Sequence, residues 1–191
     1  MNKTKLRLSL LLLLGSIALG SCSKSGGNEF TAEGTITDAA GKTLYLETTD
    51  TDEPQLIDSV TLDEKGRFRF RREAHSYPAF YRLRLGESFI PFAADSVTHL
   101  TLSASGKDLF STYKIESGDE ANKQIREIGQ LRTATDKAIE AILTQLNNGT
   151  LDRGVALARI DSLSTQLKNT LTSKYIFSDP KGAAAYYALF Q

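Results

Sequence analysis

The chain has 191 residues, with 23 basic and 23 acidic side chains, 14 Gly, 4 Pro, a single Cys and no Trp. The first 21 positions hold three of the basic residues and no acid, leaving 20 basic against 23 acidic and a net charge near −3, which argues against a nucleic-acid partner. One cysteine excludes an internal disulfide and a dithiol centre, so nine Phe and seven Tyr must supply the bulk of a core that folds without covalent help.

The first segment in chain order is not part of the fold. Lys3, Lys5 and Arg7 precede an apolar run over 8–19, too short for the roughly 20 residues that cross a bilayer. It closes on Leu19-Gly20-Ser21-Cys22. That ending resembles the lipobox of bacterial lipoproteins, in which the signal is cut before the cysteine and its sulfur is acylated. The resemblance implies a signal peptide over 1–21, a lipid anchor at Cys22 bearing acyl chains such as palmitate, and a membrane as partner. A single acyl chain binds only marginally, whereas two or more hold. The polar stretch over 22–28 reads as a flexible tether. In the lipoproteins this chain resembles, an acidic stretch just after the cysteine favours surface display. No acidic residue appears here between Cys22 and Glu29, so the resemblance implies a periplasm-facing outer-membrane lipoprotein. As a thioether, Cys22 would be unavailable for thiol exchange.

From residue 29 to about 117 apolar residues alternate with period two. Phe30, Ala32, Gly34 and Ile36 share a face, followed by Leu44 with Leu46, Val60 with Leu62, and Phe68 with Phe70. Tyr81, Leu83 and Leu85 form another run, as do Leu100 with Leu102 and Tyr113 with Ile115. Asp38-Ala39-Ala40-Gly41 and Asp63-Glu64-Lys65-Gly66 suit three-residue hairpin loops. That reading pairs Ile36 with Leu44, and Val60 and Leu62 with Phe70 and Phe68, in two hairpins.

After Ser117-Gly118-Asp119 the period becomes helical through Ile125, Ile128, Leu131, Thr135, Ile139, Ile142 and Leu146. Asn147-Asn148-Gly149-Thr150 breaks it, and Ile160, Leu163, Leu167 and Leu171 mark a second helix ending near Tyr175. Two helices of roughly 35 Å joined by a short loop predict an antiparallel hairpin over 118–178. Asp179-Pro180 reads as an N-cap and first helical position. The apolar stretch after it, with Tyr186, Tyr187, Leu189 and Phe190, reads as the start of a truncated helix over 179–191. The fold class is α+β, an antiparallel β-rich sandwich or partly open barrel over 29–117 followed by the helical hairpin.

The order of Gly34-x-Ile36, Gly41-x-x-Leu44-Tyr45-Leu46, Ile57-Asp58-Ser59-Val60, Gly66-x-Phe68-x-Phe70 and Pro78-x-Phe80-Tyr81-x-Leu83 resembles a known module. It is similar to the N-terminal domain of unknown function, DUF4369-like, of Bacteroidetes thiol-disulfide interchange lipoproteins. There a β-rich domain and a helical segment precede a thioredoxin-like domain. The likeness covers residues 29 to 117 and extends loosely into the helices. The family's Cys-x-x-Cys has no counterpart here, so no catalytic residue carries over and the chain looks like the front half of such a protein.

Chemistry-bearing side chains are few. His75 and His99 fall in no ligand spacing, even with Asp95 nearby, so no metal is expected. No Gly-x-Ser-x-Gly elbow is present, and hydrolase chemistry is not expected. No cofactor motif occurs. Arg67, Arg69 and Arg71 alternate with Phe68 and Phe70, and Arg82 and Arg84 are read as an extension of the same face. They form either a solvated surface paired with Glu47, Asp50, Asp52 or Asp58, or a patch for an anion or acidic partner. Ser59, Ser96 and Ser162 each sit in an Asp-Ser-aliphatic tripeptide that resembles the O-glycosylation acceptor of exported Bacteroidetes proteins.

The functional expectation is a membrane-anchored, non-catalytic binding or positioning module, whose partners would be a thioredoxin-like domain or another periplasmic protein. The alternatives are the front half of a thiol-disulfide oxidoreductase and a structural lipoprotein of an outer-membrane assembly.

Overall fold

Period-two alternation becomes most of the eight strands found among the described residues, because each such run carries one apolar face that must be buried and one polar face that need not be. The computed structural model describes residues 28–49, 53–117 and 119–191. The signal, Cys22 and nearly all of the tether lie outside the described residues, as do Asp50 and Asp52.

The strands are β1 (Glu29–Thr37), β2 (Thr43–Thr48), β3 (Gln55–Thr61), β4 (Arg67–Glu73), β5 (Ala79–Leu85), β6 (Ser88–Ala94), β7 (His99–Ser105) and β8 (Lys114–Ile115). They form two four-stranded sheets, ordered β4-β1-β7-β8 and β3-β2-β5-β6. The sheets pack as an open sandwich rather than a closed barrel, so of the two architectures expected the sandwich is the one found. Phe30, Tyr81 and Phe92 form its aromatic centre, with ring centroids 4.7 Å apart for Phe30–Tyr81 and 5.5 Å for Tyr81–Phe92. Ile36, Leu44, Leu46, Phe70, Leu83 and Leu100 pack around them.

The expected hairpins do not form. β1 and β2 lie in different sheets, as do β3 and β4. Leu44 pairs with Val60, while Phe70 and Phe68 pair with Ala32 and Gly34. The two Asp-x-x-Gly turns are corners that carry the chain across the sandwich. The reason is geometric: alternation places side chains on the core side whether two strands lie side by side or face each other. Asp38 and Gly41 both adopt positive φ, 57° and 74°, which turns the chain out of its own sheet. The corners brace each other through backbone bonds from Leu62 to Lys42 (2.9 Å), Gly41 to Leu62 (2.9 Å) and Ile36 to Gly66 (2.8 Å). A Cβ at Gly66 would meet the Ile36 carbonyl oxygen at 2.0 Å, and one at Gly34 the Leu102 oxygen at 1.8 Å. Both glycines are demanded by this close approach.

Strand β6 has no counterpart in the sequence reading. Its Pro91 weakens the strand signal, yet β6 is an edge strand, where a missing N–H costs little. β1 also runs parallel to β7, a pairing that needs the long intervening chain.

A short helix, α1 (Leu109–Thr112), precedes β8, and the helical part follows as α2 (Glu120–Asn147), α3 (Arg153–Leu171) and α4 (Ala183–Leu189). Asp119 caps α2 by accepting from the Asn122 N–H at 2.9 Å, and Asp152 caps α3 by accepting from Val155 at 3.1 Å. A π-helical turn, Thr172–Ile176, ends the α3 segment. The reading of Asp179-Pro180 as a helix start is corrected: Pro180 lies in a turn closed by the Gly182 N–H on the Asp179 carbonyl, and α4 begins at Ala183. Ala183, Ala184 and Ala188 pack with Ile125, Ile128, Leu171 and Tyr175 into a second core. That core reaches the sandwich through Ala93 and Phe80. Among the described residues, no helix is long and apolar enough to cross a membrane.

Candidate functional site

The outer face of the β3-β2-β5-β6 sheet carries residues unlike those of an ordinary solvated surface. Strand register lines up Leu56, Glu47, Arg82 and Pro91 in one row, and Ser59, Tyr45, Arg84 and Phe89 in the next. Glu47 follows the β2 bulge at Leu46/Glu47 and is only 5% exposed. It accepts from Arg82 Nε at 2.6 Å through one oxygen and from Arg84 Nε at 2.7 Å through the other. Burial pushes the Glu47 carboxyl up, but the bonds from Arg84 and Arg82 outweigh it and hold the group below its ordinary value. The guanidinium of Arg84 lies 4.4 Å from the Tyr45 ring centroid, and that of Arg82 lies 5.1 Å from Phe89.

Beside this cluster, where the helices meet the sheet, runs an open groove of about 450 Å³. Phe80, Phe89 and Pro91 line it from the sheet, Tyr187 and Phe190 from the end of α4, and Arg82 supplies its charge. A second groove of about 480 Å³ lies between α2, α3 and α4, and a third of about 410 Å³ adjoins Asp95, Thr98 and His99.

The helices are held on the sheet by a residue that sequence reasoning passed over. Asn122, 2% exposed, accepts from the Ala93 N–H at 2.8 Å and donates to the Ala93 carbonyl at 2.8 Å. Its amide thus replaces a neighbouring strand at one position of the β6 edge. The only sequence signal was an Asn three residues after the cap Asp119, which also receives an Asn122 Nδ2 bond at 2.7 Å.

The five arginines singled out from the sequence do not form one patch. Arg67, Arg69 and Arg71 project from β4 on the opposite outer face of the sandwich, while Arg82 and Arg84 belong to the face just described. Arg67 pairs with Asp63 at 2.7 Å, Arg69 with Glu33 at 3.4 Å and Arg71 with Glu29 at 2.5 Å. Asp58 takes Arg72, linking the β3 and β4 edges. His75 stacks on Tyr77, and His99 bonds the Thr31 hydroxyl at 2.8 Å. Among the described residues no three His, Cys, Asp or Glu side chains are grouped as metal ligands would be.

Ser59 is exposed on the β3 edge and Ser162 is exposed within α3. Ser96 is half-buried in a turn that Asp95 holds by accepting from Val97 and Thr98. On the helices, Lys174 and Tyr175 both donate to Glu127, and the Lys174 bond leads in holding that carboxyl below its ordinary value.

Residues 30–124 match the family described as "Domain of unknown function (DUF4369)". The match spans the sandwich and ends just past Asn122. No curated protein matches the chain.

Proposed function

We propose that this chain, whose β-rich half belongs to the DUF4369 family, is a non-catalytic binding or positioning module held at a membrane surface through Cys22. The observation that carries the reading is the outer face of the β3-β2-β5-β6 sheet: a buried carboxylate fixes two arginines between aromatic rings, next to an open apolar groove. A rigid aromatic–arginine surface is the composition that binding interfaces favour. The carboxylates whose acidity is shifted support it too, since each is engaged by a structural partner. Asp38 has Ser105 and Lys107, Glu47 has Arg84 and Arg82, Asp63 has Arg67, and Glu127 has Lys174 and Tyr175.

The lipobox residues support the attachment, and the lack of an acidic residue between Cys22 and Glu29 supports the periplasmic side of the outer membrane. Cys22→Ala should abolish labelling by an alkynyl palmitate analogue and shift the protein out of the membrane fraction; unchanged fractionation and processing would refute the anchor. For the binding role, a photo-crosslinking amino acid at Leu56, 60% exposed in the same row as Glu47, should give discrete adducts in cells. The same probe at Arg69, on the other face, should give none. Equal yields from both faces, or none from either, would refute the binding face.

A second reading is favoured by one observation. Tyr186, Leu189 and Phe190 are exposed together at the end of α4. That surface suits the seating of a thioredoxin-like domain, in which case the chain positions an oxidoreductase. Added thioredoxin-like domain should then protect α4 from hydrogen exchange, and unchanged exchange would remove this reading.

A further inference from the structure

Arg82 stands where the charged and apolar parts of the candidate face meet. It bonds Glu47 through Nε, and among the described residues its terminal nitrogens make no further hydrogen bond. An arginine offers five N–H donors in a planar fork, and four of these remain. Arg84 is more fully engaged, through Nε to Glu47 and Nη1 to the Gly86 carbonyl at 3.2 Å. Two guanidiniums against one carboxylate leave the cluster with one unit of excess positive charge. The Arg82 side chain is only 22% exposed, so that charge acts in a largely dry setting, where pairing with an incoming anion is stronger than in water.

From this geometry, and resting on the binding-module reading, we infer that the groove takes an extended acidic–apolar peptide segment of a partner protein. An aromatic or large aliphatic side chain packs between Phe80, Phe89 and Tyr187, and the carboxylate of a neighbouring Asp or Glu pairs with the terminal nitrogens of Arg82. Charge complementarity sets the sign of the ligand. The volume of about 450 Å³ fits one or two side chains with their backbone. Phe190, 82% exposed at the rim, provides apolar area for the segment to cover. A free phosphate or lipid headgroup would make no use of the aromatic walls.

The probe is a fluorescein-labelled peptide of sequence Gly-Phe-Glu-Phe-Glu-Gly, capped at both ends and titrated into the full chain in detergent by anisotropy. Two controls replace both Glu by Gln or both Phe by Ala. The parent peptide should bind at least tenfold more tightly than either control. Arg82→Gln, which leaves Glu47 paired to Arg84, should remove about tenfold of that affinity. Phe190→Ser, at an exposed position that cannot disturb the core, should weaken binding at least threefold, and Arg69→Gln on the other face should have no effect. Equal affinity for the Gln control, or full affinity in Arg82→Gln or Phe190→Ser, overturns the inference. The Leu56 crosslink separates the two levels of failure. Adducts that persist in Arg82→Gln would overturn the acidic-peptide assignment alone, whereas absence of adducts from the wild type would overturn the module itself.

Discussion

At the residue scale, Glu47 is the most consequential polar side chain in the sandwich. Removing its charge strands two partly buried arginines. Glu47→Gln should therefore cost about 2–3 kcal/mol, readable as a lower denaturant midpoint at unchanged slope. The pH dependence follows from the direction of its shift. Its folded pKa lies below the ordinary value of 4.5, so its stabilisation is present in full above that value and lost as the pH falls toward the folded one. Thermal unfolding of the wild type should weaken in this acid window, and Glu47→Gln should flatten that limb. A parallel, unflattened limb in the variant would show that other carboxylates govern it.

Tyr113 makes the opposite case. It is fully buried, its ring lies against Phe110 and Arg126, and its hydroxyl finds no hydrogen-bond partner among the described residues. Burial raises its pKa far above the ordinary range. Tyr113→Phe removes an unpaired polar atom while keeping the packing, and should leave stability unchanged or raise it by about 1 kcal/mol. A loss above that size in chemical denaturation would mean the hydroxyl has a partner.

At the scale of elements, β4 separates core from surface. Phe68 and Phe70 point into the sandwich, and Arg67, Arg69 and Arg71 point out toward carboxylates. Phe68→Ala should cost about 3–5 kcal/mol as a cavity, whereas changing all three arginines to Ser should cost under about 1.5 kcal/mol, since exposed ion pairs contribute little. Similar losses from both would contradict the register of β4 against β1. The facing of β4 was readable from alternation alone, but its partner was not. The Asp-x-x-Gly sequences at both corners fit a hairpin and a sandwich-crossing arch equally well. What selects the arch is the crowding of backbones at Gly34 and Gly66 and the mutual bracing of the two corners, both between residues distant in the chain.

At the scale of the whole molecule, the sandwich and the helices are joined through a narrow seam of Ala93, Phe80, Ile125, Ile128 and the alanines of α4, bolted by Asn122. Away from that seam the helical hairpin keeps Ile142 and Ala156 buried but leaves Leu143, Val155 and Leu157 exposed. Amide exchange should accordingly be slowest near Ile125 and Ile128 and faster toward the loop at Gly149. Asn122→Ala leaves the buried Ala93 N–H and C=O without their partner. It should raise exchange throughout the helices while sparing Phe30 and Leu100 in the sandwich core. Uniform acceleration across both parts would show a single cooperative unit instead.

Much of this molecule is written locally. The apolar faces of the strands, the switch to a helical period after Asp119, the break near Gly149 and the α+β order follow from periodicity and turn chemistry, because each depends on residues within a few positions of one another. The lipobox reading is local in the same way, although Cys22 lies outside the described residues. The division of strands between two sheets, the parallel pairing of β1 with β7, and the separation of Arg67, Arg69 and Arg71 from Arg82 and Arg84 were decided only by tertiary structure. So were the Glu47 cluster and the groove beside it, which draw on β2, β5, β6 and α4. The physical reason is that alternation records whether a side chain faces the core, while the sheet it joins is set by backbone pairing and packing between residues dozens of positions apart.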